Sequence, residues 1–140
     1  MEITGAVPDP SGLEAAAPSC YVGEVHIQTL STPFDNGLEL RFVRFEPGAR
    51  SRPHVCSSGR LLHVVGGEAV VADPNDRTVV GPGDTVTVPA GEWHWHGGLP
   101  HVAAVLLVIE RPADVSWDAP ARDWSAGYDP PAPTGERRAT

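Results

Sequence analysis

The side chains able to do chemistry in this 140-residue chain are concentrated in two short segments. In Gly48-Ala49-Arg50-Ser51-Arg52-Pro53-His54-Val55-Cys56, His54 and Cys56 stand two residues apart. Successive side chains of an extended strand alternate faces, so these two point the same way. In the second segment His94 and His96 share a face for the same reason. If the two strands face one another, His54, Cys56 and His94 converge as three borderline or soft ligands. A set of two imidazoles and a thiolate with an open fourth position suits Zn²⁺, which there holds water or a substrate oxygen as a Lewis acid. All ten basic residues are arginine, and the absence of lysine excludes Schiff-base and P-loop chemistry.

The elements that must position these residues are strands. Fifteen glycines and fifteen prolines punctuate the chain at short intervals, and no window carries the i, i+3, i+4, i+7 apolar repeat of a long helix. Strands are expected over Val22 to Leu30, Leu38 to Phe45, Arg52 to Cys56, Leu61 to Val65, Glu68 to Ala72, Arg77 to Val80, Thr85 to Val88, Trp93 to His96 and Val102 to Ile109. Turn chemistry separates them at Asp35-Asn36-Gly37, Pro47-Gly48, Gly66-Gly67, Pro74-Asn75-Asp76, Pro82-Gly83-Asp84 and Pro89-Ala90-Gly91. Many short strands at regular spacing predict an all-β sandwich or small barrel. On a regular strand His63 faces away from the side that holds Arg60. His26 and His101 read as surface or subunit-contact residues, and Trp93 and Trp95 lie on the face opposite His94.

Length predicts one domain, with a barrel over residues 21–118. Residues 1–20 read as a flexible or strand-exchanging arm and residues 119–140 as a C-terminal arm, because both are rich in Ala, Pro, Gly and charge. Trp117, Trp124 and Tyr128 are expected to clamp the second arm against the barrel. A formal charge of −8 and a pI near 5.1 repel phosphate backbones and anionic lipid, so neither nucleic acid nor membrane is an expected partner. Cys20 and Cys56 form no Cys-x-x-Cys pair, and the first twenty residues lack the basic start and apolar run of a signal peptide. The chain therefore reads as cytoplasmic with free thiols.

Both segments resemble the motifs of the cupin family. The first family motif, G-x5-H-x-H-x3,4-E-x6-G, is met in register by Gly48, His54 and Gly67, and the second, G-x5-P-x-G-x2-H-x3-N, by Gly83, Pro89, Gly91 and His94, with Gly98 at the Asn position. The stretches Phe45-Glu46-Pro47-Gly48-Ala49-Arg50, Pro82-Gly83-Asp84 and His94-Trp95-His96-Gly97 are most similar to small single-domain cupins resembling the C-terminal part of carboxymuconolactone decarboxylase. The resemblance implies a small double-stranded β-helix barrel, a homodimer, and metal ligands at His54, Cys56 and His94. It also implies a proton-transferring role for His96.

Two positions depart from the family pattern. Cys56 replaces the second His of H-x-H, and Arg60 stands where Glu or Gln often binds metal. Guanidinium offers donors only, so Arg60 cannot be a ligand. A cation about 5 Å from a divalent ion costs roughly 6 kcal/mol at an effective dielectric near 20, a large part of the ~10–16 kcal/mol of tight zinc binding. A thiolate at Cys56 adds one negative charge and Arg60 one positive, so the two replacements offset each other. The expected function is metal-assisted lyase, isomerase or cyclase chemistry on a small organic acid or polyketide-like substrate. Zn is the expected ion, with Ni, Fe or Mn as alternatives, and Arg60 anchors a substrate carboxylate or enolate. Two further readings stand beside it: a metal-free cupin that binds or senses a small anion through Arg60, and a thiol enzyme in which a histidine activates Cys56. Arg60 could also simply pair with a core carboxylate such as Glu68, and Cys56 could be a small buried hydrophobe.

Overall fold

The structure is a computed structural model and describes residues 14–31, 37–117 and 124–128. No helix is found among the described residues, and none is therefore long and apolar enough to cross a membrane. The strands are β1 (Glu14–Ala15), β2 (Tyr21–Val22), β3 (Val25–Ser31), β4 (Glu39–Phe45), β5 (Arg50–Ser51), β6 (Val55–Cys56), β7 (Arg60–Gly67), β8 (Ala69–Ala72), β9 (Arg77–Val80), β10 (Thr85–Val88), β11 (Trp95–Gly98), β12 (Ala104–Glu110) and β13 (Val115–Ser116). They form antiparallel sheets of order β1-β3-β4-β12-β7-β10 and β2-β5-β11-β8-β9, with β13 and β6 as a separate pair. This is the all-β barrel the turn spacing predicts.

Alternation fixes which side chains enter the barrel. Along β12 every second residue from Ala104 through Leu106 and Val108 to Glu110 is buried, and the residues between are only partly covered. The inward residues of β4, β7 and β12 include Val43, Phe45, Leu62, Val64, Leu106 and Val108, which form one apolar cluster between the sheets. At one end the inward phase turns polar: Glu110 closes β12 opposite Arg60 at the start of β7, beside Arg41 of β4. A second cluster lies outside this core, where Trp95, Val70 and Ala72 meet Trp124 and Tyr128. The Tyr128 hydroxyl donates to the Gly98 carbonyl at 2.9 Å, which pins that segment to β11.

Several expected boundaries move. Pro53 lacks an N–H, and of the expected strand Arg52 to Cys56 only Val55–Cys56 forms, as β6 paired with β13, while β5 lies just before it in the second sheet. The expected strand Val22 to Leu30 is β2 and β3, which belong to different sheets. The one around His94 begins at Trp95. Glu14 and Ala15, inside the expected N-terminal arm, pair with Ile27 and His26 at the edge of β3. The turn expected at Asp35-Asn36-Gly37 lies almost wholly outside the described residues.

The β7–β8 corner tests the packing. Gly67 has φ +69°, and a Cβ there would sit 1.9 Å from the Ala103 carbonyl oxygen, whereas a Cβ on Gly66 meets nothing within 4 Å. Gly67→Ala is expected to destabilise the fold by more than about 3 kcal/mol, against under about 1 kcal/mol for Gly66→Ala. Paired urea unfolding curves check this, and equal midpoints for the two variants would contradict it.

Candidate metal and catalytic site

His54 and His94 face each other across an isolated antiparallel bridge outside the named strands. Each backbone N–H donates to the other's carbonyl, at 3.0 and 3.1 Å, and the ring centroids stand 4.2 Å apart. The side chains repeat one local arrangement. The Nδ1 of His54 lies 2.7 Å from the Arg52 carbonyl and that of His94 2.9 Å from the Glu92 carbonyl, each two residues upstream. A carbonyl only accepts, so both Nδ1 atoms carry the proton and both Nε2 atoms present a lone pair. Cys56 follows His54 on the same side, and ligand atoms of His54, Cys56 and His94 all lie within 4.8 Å of one another. All three residues are buried.

Burial and neighbouring charge keep the imidazoles neutral. His54 is pushed down to about 3 by desolvation and then by His94, and His94 to about 4 chiefly by desolvation. His96 is held well below its ordinary value, again mainly by desolvation. Its backbone N–H donates to Ser51 Oγ at 3.1 Å, its ring stacks 5.7 Å from that of His94, and its edge meets Phe45. Burial raises the Cys56 thiol, while the Arg60 guanidinium pulls it the other way.

Arg60 belongs to an ion-pair group that the sequence reading did not assemble. Its Nη2 lies 2.8 Å from Glu110 Oε2, and Arg41 holds the other oxygen of the same carboxylate. The partner is thus Glu110, not Glu68, which is exposed at the β7–β8 corner. The remaining Nη1 of Arg60 lies 3.3 Å from His54 Nε2. Glu110 carried a sequence signal, since it is the one charge in the inward phase of an otherwise apolar strand.

Trp117, expected from sequence to clamp the arm, lies at the site. The β6–β13 pair sets Val115 and Ser116 opposite Cys56 and Val55, and the Trp117 ring that follows packs 4.4 Å from His54 and 5.8 Å from Tyr21. Tyr21 in turn meets Phe45 at 6.2 Å. Aromatic rings therefore wall one side of the imidazoles. The other sequence candidates lie apart from the site. His63 bonds Thr85 Oγ1 at 2.8 Å, His26 bonds Glu24 at 2.8 Å, and His101 is exposed.

The donor set fits a divalent ion. Among the described residues, His94 Nε2, His96 Nδ1 and Arg60 Nε are buried side-chain atoms with no hydrogen-bond partner, and His94 is one of the three candidate ligand residues. A buried lone pair without a partner costs about 1–3 kcal/mol, which an ion at that point would recover. Two imidazoles and a thiolate satisfy zinc without any further protein ligand. Glu110 offsets part of the charge that Arg60 and Arg41 bring together, which lowers their penalty toward such an ion.

Charge compensation between positions 56 and 60 predicts coupling. Cys56→His leaves one surplus cation beside the donor atoms, and adding Arg60→Gln removes it. Zn²⁺ affinities from chelator competition should be non-additive across this double-mutant cycle by about 1–3 kcal/mol. Additive losses would end the compensation argument.

The buried neutral imidazoles also set a pH dependence. Their folded-state values lie below the unfolded value of about 6.5, so the unfolded chain binds more protons between the two. Their contribution to stability is complete above about pH 6.5 and is lost as pH falls toward 4. Three such groups give a slope of up to roughly 4 kcal/mol per pH unit at the steepest. Urea midpoints measured from pH 7 to pH 4.5 check the loss, and imidazole NMR signals of His54, His94 and His96 that titrate near pH 6.5 in the folded protein would contradict it.

Comparison with known proteins places this arrangement. Residues 41–110 match the cupin domain family Cupin_2. The chain is 34% identical over 106 residues to the (R)-mandelonitrile lyase of Granulicella tundricola, covering 74% of this chain and 78% of that protein. The fold is similar to a cupin-like protein of Thermotoga maritima, with a TM-score of 0.73, 24% identity, and coverage of 81% of this chain and 89% of that one. It is also similar to the polyketide cyclase RemF of Streptomyces resistomycificus, with a TM-score of 0.65, 21% identity, and coverage of 90% and 91%. With the family match across the strands that carry the site, and a relative at this identity over most of both chains, this protein is a member of the cupin family.

Proposed function

We propose that this protein is a metal-assisted lyase acting on a small hydroxyl- or carbonyl-bearing molecule, with His54, Cys56 and His94 holding the ion and His96 moving the proton. The observation that carries the reading is the buried cluster of His54, Cys56 and His94, whose ligand atoms lie within 4.8 Å of one another, with each imidazole oriented by a backbone carbonyl at its Nδ1. Zn²⁺ is the preferred ion for this set, with Ni, Fe and Mn as alternatives. A bound divalent ion would supply Lewis acidity toward a substrate oxygen.

The chain's own residues supply the rest. His96 is neutral and its Nδ1 has no partner, so it can take a proton from a substrate hydroxyl beside the ligands. For an α-hydroxynitrile the step balances. The O–H proton passes to His96, the oxygen becomes the carbonyl of an aldehyde, and the C–C electron pair leaves with cyanide, which takes the proton back as hydrogen cyanide. Trp117, Tyr21 and Phe45 keep water from that side of the imidazoles. Similarity to the mandelonitrile lyase, at 34% identity, supports lyase chemistry ahead of the cyclase and isomerase readings, since the polyketide cyclase is only 21% identical.

One contact favours a second reading. Arg60 Nη1 lies on the same His54 Nε2 that a metal would need, which suits a metal-free binding module. Metal content and turnover together separate the two. The purified protein is expected to hold about one divalent ion per chain and to release benzaldehyde from mandelonitrile. His94→Ala should lose the ion, and His96→Ala should keep it while losing at least a hundredfold in kcat. Absence of both metal uptake and turnover after addition of Zn²⁺, Mn²⁺, Fe²⁺ or Ni²⁺ would replace the lyase reading with the binding-module one.

A further inference from the structure

The two sheets part between the edge strands β9 and β10, and a cavity of about 300 Å³ lies in the gap. Its walls come from the inward sides of both sheets, Leu62, Val86 and Val88 on one and Val71 and Val80 on the other. His94 also lines it, and His94 is only 3% exposed, with a buried Nε2 that has no partner. The cavity thus joins an apolar interior to the candidate ligand cluster. Its volume suits a single ring with a short substituent, since a dry cavity of about 150 Å³ already accepts benzene.

The polar residues that line it include three carboxylates, Asp73, Asp76 and Glu92. Asp73 is fixed in place, because its Oδ1 accepts the backbone N–H groups of Asn75 and Asp76 at 2.8 Å each. Arg77 does not line this cavity but lies beside Asp73 and Asp76 at an adjoining one. Arg77 stands opposite Ala72, and its guanidinium lies 5.0 Å from the Trp95 ring centroid and donates to the Trp124 carbonyl at 2.6 Å. Arg60, expected from sequence to anchor a substrate carboxylate, is held by Glu110 of its own chain.

Resting on the lyase reading for the chemistry at His94, we propose that the β9–β10 cleft is the substrate entrance and that it admits small uncharged apolar molecules, such as an aromatic aldehyde or its neutral adducts, while turning carboxylates away. The apolar walls supply the affinity and the acidic lining supplies the discrimination. Each carboxylate about 8 Å from an entering anion lowers its occupancy roughly two- to threefold in water at low ionic strength, so three together give about tenfold. The net charge of −8 acts in the same direction at longer range.

Benzyl alcohol and benzoate share a ring and differ in charge, so their binding to the full chain tests the proposal. Titrations followed by methyl and imidazole NMR should show benzyl alcohol moving the signals of Leu62, Val71, Val86 and His94, with at least tenfold tighter binding than benzoate at low salt. The combined variant Asp73→Asn, Asp76→Asn, Glu92→Gln should narrow that gap at least threefold. In the unaltered protein, raising the salt to 0.5 M should narrow it too, which keeps the test open if the variant does not fold. Benzoate binding as tightly as benzyl alcohol, shifts confined to other residues, absence of binding, or a gap that neither salt nor the variant changes would overturn the proposal. None of these readings needs turnover. The expected binding pattern in a protein that cleaves no mandelonitrile would therefore remove the lyase reading and leave the entrance standing.

Discussion

The cross-strand ion pair between Arg60 and Glu110 is the interaction on which the polar end of this barrel depends. Both residues are more than nine-tenths buried, and they stand in register across β7 and β12. A buried charge without a partner would cost several kcal/mol, so neither residue is tolerable there alone. Arg41 shares the carboxylate, which leaves the group of three with one net positive charge beside Cys56. A thiolate at Cys56 would cancel that charge, and the thiol already feels Arg60 as a stabilising neighbour of its anion. The two residues that depart from the family motif are thus parts of one charge arrangement, and the carboxylate that completes it comes from a distant strand.

The histidines solve a related problem by a different route. Burial alone makes the protonated forms unfavourable, and each of His54 and His94 then satisfies one nitrogen with the carbonyl two residues before it. That fixes tautomer and ring direction at once, so the two lone pairs are aimed before any ligand arrives. The backbone bridge between the same two residues removes the freedom of the loops that carry them. Trp117, just after β13, adds a ring against His54, and the segment that carries it is tied to Ser57 through the Asp114 backbone in both directions.

How much of this was legible in the sequence follows from the range of the interactions. Alternation and turn residues act locally, and they set the barrel, the inward phase of His54 with Cys56 and of His94 with His96, and the outward placing of His63 and Trp95. Arg60 is expected from sequence to anchor a substrate carboxylate or to pair with a core carboxylate such as Glu68, and that Glu110 is its partner depends on which strand lies beside β7. That pairing joins residues fifty positions apart, so local pattern does not reveal it. Glu110 was still marked, because a charge in the inward phase of β12 needs a partner inside. Trp117 carried no such mark, since its place against His54 follows from the β6–β13 pairing, which joins residues about sixty positions apart. The acidic lining of the β9–β10 cleft was hidden for the same reason: Asp76 belongs to the expected turn Pro74-Asn75-Asp76, Asp73 caps that turn, and only the folded barrel brings them to the same opening as Glu92 and His94.

The depressed basicity of His96 bears on which half of a proton transfer this site favours. An imidazole that burial keeps neutral takes up a proton reluctantly and gives it back readily, so as a general acid toward a departing anion it is well suited, and as a general base it is weak. A substrate hydroxyl would have to be made more acidic before His96 could accept its proton near neutral pH. In the proposed arrangement that demand falls on the cluster of His54, Cys56 and His94, whose two imidazoles and thiolate would hold a divalent ion. The same burial that weakens His96 as a base therefore makes the chemistry dependent on what the three neighbouring donors hold, and an imidazole with an ordinary pKa at position 96 would relax that dependence while losing part of its strength as an acid.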